Sequence, residues 1–189
     1  MRPNRPQAGA RVLLDAVDPA QAEGPYLSWL LDAEVTRFLE ARFTQYDAVH
    51  LRDYIVRENG RDDAVLFGIY LADARRLIGT LKLSQIRRDH RHCDLGLMIG
   101  DKTVWGRGLG AETIRLGTDY AFRVLDMHRV LAGIYSNNLA SERAFLRAGY
   151  EHEGRLRDDR WDGQGWVDKL LLGKINRSEK THDIVDRTS

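Results

Sequence analysis

A chain of 189 residues, 43% hydrophobic and 30% charged, has the size and balance of a single globular domain with a buried core. Its formal net charge of +1 gives no global field to gather nucleic acid or an anionic membrane, so neither partner is expected. Cys93 is the sole cysteine and the six histidines lack ligand spacing, which excludes an internal disulfide and leaves no metal site to expect.

The polar start, with Pro3 and Pro6, lacks the apolar core of a signal peptide, and no later apolar run is long enough to span a bilayer. The expected location is therefore the cytoplasm. We read residues 1–189 as one domain, with a core from about 11 to 175 and loose polar ends at 1–10 and 177–189. Residues 11–17 read as a first strand. Pro19 opens a helix with Tyr26, Leu27, Leu30 and Leu31 on its apolar face, and a second helix spans about 47–58 before Asn59-Gly60. Two strand-like runs, 64–72 and 77–86, form a hairpin around the turn 73–76, and the loop 87–92 leads to a third run at 93–99. A glycine cluster at 106–110 precedes a helix reaching about Leu125 whose apolar stripes mark it as covered on several sides. A strand at 129–135, a turn at Asn137-Asn138, a short helix at 141–148 stopped by Gly149, and strands at 150–161 and 166–174 complete the chain. The order strand–helix–strand requires one parallel pair, so the expected fold is an α/β mixed sheet, mostly antiparallel, with helices on both faces.

Gly106, Gly108 and Gly110, alternating directly before a buried helix, suit a backbone that approaches a phosphate, with the helix's free N–H groups aimed at it. The pattern Gly106-x-Gly108-x-x-Ala111 formally fits a dinucleotide-binding loop, but it follows an antiparallel region and the next strand does not end in an acidic residue. No G-K-[ST] sequence supports a triphosphate loop.

The stretch from Asp94 to Lys102, continued by Trp105-Gly-Arg-Gly-Leu-Gly-Ala-Glu112, resembles the acetyl-CoA loop of the GNAT superfamily of N-acetyltransferases. The later Asn138-Leu-Ala-Ser141 run, ending in Gly149-Tyr150, resembles that superfamily's second signature, and the RimJ/RimL-like branch is the nearest in pattern. The resemblance implies a GNAT-like fold and transfer of an acetyl group from acetyl-CoA to a primary amine by direct attack in a ternary complex. It implies that backbone amides of Arg107, Gly108, Leu109, Gly110 and Ala111 hold the pyrophosphate. The strand edge at Met98 and Ile99 would pair with the pantetheine amides, and Asn138, Ser141 and Arg143 would line the far side. Two positions depart from the family pattern: Trp105 stands where many members carry Gln or Arg, and Phe145 where many use a tyrosine as general acid. The branch resemblance makes Ser141 the candidate proton donor to the leaving sulfur. Asp94, on the strand leading to the reaction centre, is the candidate base, with Glu153 and His92 behind it.

Simpler readings stand beside these. Asn138 suits the cap of the helix that follows, Trp105 suits packing, and Cys93 suits a small strand hydrophobe. The basic loop of Arg87, Arg88, His90, Arg91 and His92 is either a solvated loop or an anion-reading substrate rim. The acceptor classes left open are a small amine such as an amino sugar or a nucleotide-linked amino sugar, a protein N-terminus, and, without turnover, acyl-CoA binding alone. A homodimer is compatible with the resemblance.

Overall fold

A computed structural model describes Pro3 and residues 6–177. Eight strands form one sheet: β1 (Gln7–Ala8), β2 (Val12–Ala16), β3 (Val65–Leu71), β4 (Leu77–Arg87), β5 (His92–Ile99), β6 (Arg129–Tyr135), β7 (Glu151–Trp161) and β8 (Trp166–Ile175). Their spatial order is β1-β2-β3-β4-β5-β6-β8-β7. Every pair is antiparallel except β5–β6, which the helix between them makes parallel. Five α-helices accompany the sheet: α1 (Pro25–Leu30), α2 (Ala33–Thr36), α3 (Ala48–Gly60), α4 (Leu109–Arg123) and α5 (Leu139–Arg147).

Alternation along the strands divides the apolar residues between two cores. Cys93 and Leu95 of β5, Val130, Ala132 and Ile134 of β6, and Leu170 and Leu172 of β8 pack with Ile114, Tyr120, Ala121 and Phe145 of α4 and α5. On the opposite face, Met98 joins Leu66 and Leu77 under Tyr26, Trp29, Leu51 and Ile55 of α1 and α3. The first core explains why α4 is apolar on so much of its surface.

Several boundaries differ from the sequence reading. The first helix is broken into a 3-10 turn at Pro19–Glu23 and α1, because Pro25 disfavours the helical conformation at Gly24, which is extended. The N-terminal stretch expected to be loose contains β1, folded back on β2 by a turn in which Gly9 N–H donates to the Val12 carbonyl at 2.8 Å. The short α2 had no legible periodicity; it is started by Asp32, whose carboxylate accepts from the Glu34 and Val35 N–H groups. Of the loose end expected at 177–189, residues 178–189 lie outside the described residues. Among those described, no helix is long and apolar enough to cross a membrane.

Candidate active site

β5 and β6 pair over three residues, His92 with Arg129, Cys93 with Val130, and Asp94 with Leu131. Beyond that point residues 95–99 pair with β4 and residues 132–135 with β8, so the sheet splits and two strand edges face each other with open N–H and C=O groups. Gly96 and Gly133 lie just past the split, one on each strand, and both are exposed. A Cβ on Gly96 would meet nothing within 4 Å. The missing side chain of Gly96 leaves open space beside the split, whereas at Gly133 that space is taken by the Lys169 side chain.

The glycine cluster lies at the far end of β5. Gly106 and Gly108 have φ of +75° and +76°, where an L side chain is strained, and Gly108 starts α4 with no side-chain cap. The N–H groups of Leu109, Gly110 and Ala111 consequently point out of the helix without a side-chain acceptor, at the positive end of its dipole. Gly110 has room for a Cβ, which would touch only the Ala144 Cβ of α5 at 3.8 Å. Nothing in the protein itself requires glycine there; close approach of a ligand to the backbone would.

The loop is held from both sides. Asp101, buried at 8% exposure, accepts from Thr103 N–H at 2.9 Å and the Thr103 hydroxyl at 2.6 Å, and pairs with Arg76. Lys102 reaches Asp32 at 2.6 Å and Glu34 at 3.0 Å. On the other side Glu112 accepts from Arg11 N–H at 2.7 Å and from the Arg11 guanidinium at 2.9 Å, and that guanidinium also donates to the Arg107 carbonyl at 2.9 Å. Burial alone would raise the Glu112 pKa, but these donors outweigh it and hold the carboxyl below its ordinary value. Arg11 was absent from the sequence reading because nothing in a first strand marks an arginine as a partner of residues a hundred positions away.

The residues singled out in sequence fall into distinct settings. Met98 is buried among α1 and α3 side chains, while the Ile99 carbonyl accepts from the Trp105 indole N–H at 2.8 Å, so Trp105 is a loop brace at the strand edge. Asn138 caps α5 through its Oδ1, which accepts from Ser141 N–H at 3.2 Å. The Ser141 hydroxyl, half-buried one turn before Ala144, has no hydrogen-bond partner among the described residues. Arg143 is exposed on the same helix. Phe145 is buried edge-on against Tyr150, with ring centroids 5.0 Å apart, and carries no hydroxyl to donate. Cys93 is fully buried, and burial pushes its thiol up to about 12.

Asp94 stands at the last residue pair before the split, facing away from α4, and accepts from Gln85 Nε2 at 3.2 Å. Burial raises its carboxyl above the ordinary range, against the opposing pull of His92 and Lys169. His92 shares that face, stacks on His90 with centroids 6.1 Å apart, and has a buried Nδ1 without a partner. Glu153 is paired with Arg129. The basic loop is largely self-neutralised: Arg87 bonds Asp89 at 2.7 Å and Arg91 bonds Asp126 at 2.8 Å. Two groups missed in sequence stand on this face: Gly133, brought beside the split by the pairing of β5 with β6, and Lys169, which the pairing of β6 with β8 lays against it. No group of three His, Cys, Asp or Glu residues able to hold a metal occurs among the described residues.

Residues 11–151 match the family described as "Acetyltransferase (GNAT) domain". The Bacillus subtilis (strain 168) protein described as "Probable N-acetyltransferase YjcK" is 33% identical over 150 residues, covering 73% of this chain and 83% of its own length. A RimL ribosomal L7/L12 alpha-N-protein acetyltransferase, solved with coenzyme A, has a similar fold with a TM-score of 0.81 at 15% identity, covering 93% of this chain and 100% of that one. The Vibrio cholerae spermidine N-acetyltransferase, solved with CoA and spermine, gives 0.78 at 16% identity, covering 88% and 96%. A family match across most of the chain, on a sheet of the same shape as those solved relatives, leads to one conclusion: this protein belongs to the GNAT family of acetyltransferases and is an N-acetyltransferase that draws its acetyl group from acetyl-CoA.

Proposed function

We propose that the acceptor is a small-molecule primary amine, acetylated by direct attack in a ternary complex. The observation that carries this reading is the open space at Gly96, two residues from Asp94 on the same sheet face and beside the split strand edge. The uncapped N–H groups of residues 109–111 suit the pyrophosphate of acetyl-CoA, and the free edge at Met98 and Ile99 suits its pantetheine amides, with one Ile99 lone pair already given to Trp105. Ser141 and Arg143 of α5 would stand on the opposite side of the donor.

The donor supplies a thioester carbonyl. The acceptor nitrogen attacks that carbon, the C–S bond breaks, the nitrogen loses a proton and the thiolate gains one. Ser141, whose hydroxyl is otherwise unengaged, would donate to the sulfur. Asp94 would take the amine's proton, directly or through a water. An amine with pKa near 10.4 costs roughly 4–5 kcal/mol to deprotonate at pH 7, whereas one near 8 costs about 1 kcal/mol, so the kind of amine sets how much a base such as Asp94, whose carboxyl is raised by burial, has to supply.

The test is an amine panel read by coenzyme A release and product mass. Acetylation of small amines supports the reading. Acetylation confined to peptide N-termini would replace it with a protein acceptor. Retained acetyl-CoA binding without turnover on either class would leave an acyl-CoA-binding protein.

A further inference from the structure

Resting on the small-amine reading above, we propose that the acceptor carries a carboxylate close to its amine, and that Lys169 is the residue that reads it. β8 sets Lys169 opposite Tyr135, on the sheet face shared by Asp94, Gly96 and Gly133. The side chain lies along β6 toward the split: its Nζ is 3.3 Å from the position a Cβ on Gly133 would take. Glycine at 133 is what leaves that path free.

Lys169 is half-buried, yet among the described residues it has neither an ion pair nor a hydrogen bond. Its cationic neighbours on this face are matched. Lys82 bonds Glu58 at 2.8 Å, Arg129 pairs with Glu153, and Arg160 lies 3.3 Å from Asp159. An ammonium partly withdrawn from water gains from a directly bound anion. Asp94 feels the charge of Lys169, but no close ion pair joins the two, which leaves the direct contact to a ligand. Gly133 lies two residues beyond Leu131, the partner of Asp94, an offset of roughly 7 Å along the strand. An amine and a carboxylate on the same or neighbouring carbons, hydrogen-bonded at opposite ends, suit two side chains offset along a strand in this way. The amine would then face Asp94 and the carboxylate Lys169. The same ammonium repels a polycation, so a polyamine acceptor is disfavoured here.

The experiment compares β-alanine and an α-amino acid with their amides, with phosphoethanolamine and with spermidine, at fixed acetyl-CoA. The wild-type protein should favour the carboxylate over its amide by about 10- to 100-fold in kcat/KM. Lys169→Gln should erase that ratio by raising the acceptor KM, with the KM for acetyl-CoA within about twofold and melting unchanged; Lys169→Arg should keep it. Equal use of acid and amide, a preference for the phosphate or the polyamine, or an unaltered ratio in Lys169→Gln would overturn the proposal. If no small amine is acetylated, the small-amine reading falls separately. Calorimetric titration of the coenzyme A complex with β-alanine then decides for Lys169: binding lost in Lys169→Gln supports its role, and no binding to the wild type overturns it.

Discussion

At the scale of single residues, Asn138 and Ser141 show how one motif divides its labour. The cap of α5 uses the Asn138 carbonyl oxygen and the Ser141 backbone N–H, not the serine hydroxyl. Asn138→Ala should therefore lower stability by about 0.5–2 kcal/mol, the usual cost of a lost cap. Ser141→Ala keeps that bond and should leave the melting temperature unchanged. It should lower kcat by about 10²–10⁴-fold if the hydroxyl protonates the departing sulfur, with acetyl-CoA affinity nearly fixed. Melting and turnover measured on the same preparations separate the two effects. A Ser141→Ala protein of full activity would remove the donor role.

At the scale of elements, α4 is positioned by a carboxylate at one end and a glycine in the middle. Glu112 ties its first turn to β2 through Arg11 and Val12. Its folded pKa is depressed below the ordinary 4.5, so its contribution to stability is complete above that value and is lost as pH falls through the folded value. Glu112→Gln should cost roughly 1–2 kcal/mol at neutral pH and make the acid limb of the stability curve shallower, as read by denaturant melts across pH. Gly117 lets α4 lie close on the sheet: a Cβ there would come within 2.7 Å of Leu81 Cδ1, and Leu81 is fully buried and cannot yield. Gly117→Val should destabilise by about 1–3 kcal/mol. It should also weaken acetyl-CoA binding, because lifting the helix moves the N–H groups of residues 109–111.

At the scale of the whole molecule, the sheet consists of β1–β5 and β6–β8 joined at three parallel residue pairs, with α4 as the connecting crossover. A donor bound along the split would bridge both parts in the folded state alone. At 100 times its Kd, acetyl-CoA should add about 2.7 kcal/mol of stability, a rise of roughly 5–10 °C in Tm for a chain of this size. Gly110→Glu should melt like the wild type without ligand, since that position has space, but should show no rise with acetyl-CoA, since its carboxylate would meet the pyrophosphate. A rise equal to the wild type's would move the phosphate site away from the glycine loop.

Local signals made much of this protein legible in its sequence. The strand-like apolar runs of β3, β4 and β5, the dense apolar faces of α4, and the glycine cluster at the start of a helix are signals of short segments. So the mixed sheet, the crossover and the glycine loop at the start of α4 could be read directly. The split could not: the register that ends β5–β6 pairing at Asp94 and Leu131 is set by how the two parts pack, not by either strand. The basic loop could be read either as a solvated loop or as an anion rim, because a charge count does not reveal that Asp89 and Asp126 pair with Arg87 and Arg91. Conversely, Lys169 reads as an ordinary alternating residue of a last strand. Its place over Gly133 depends on β8 lying between β6 and β7, a long-range pairing whose partners are some 35 residues apart in sequence and leave no local trace.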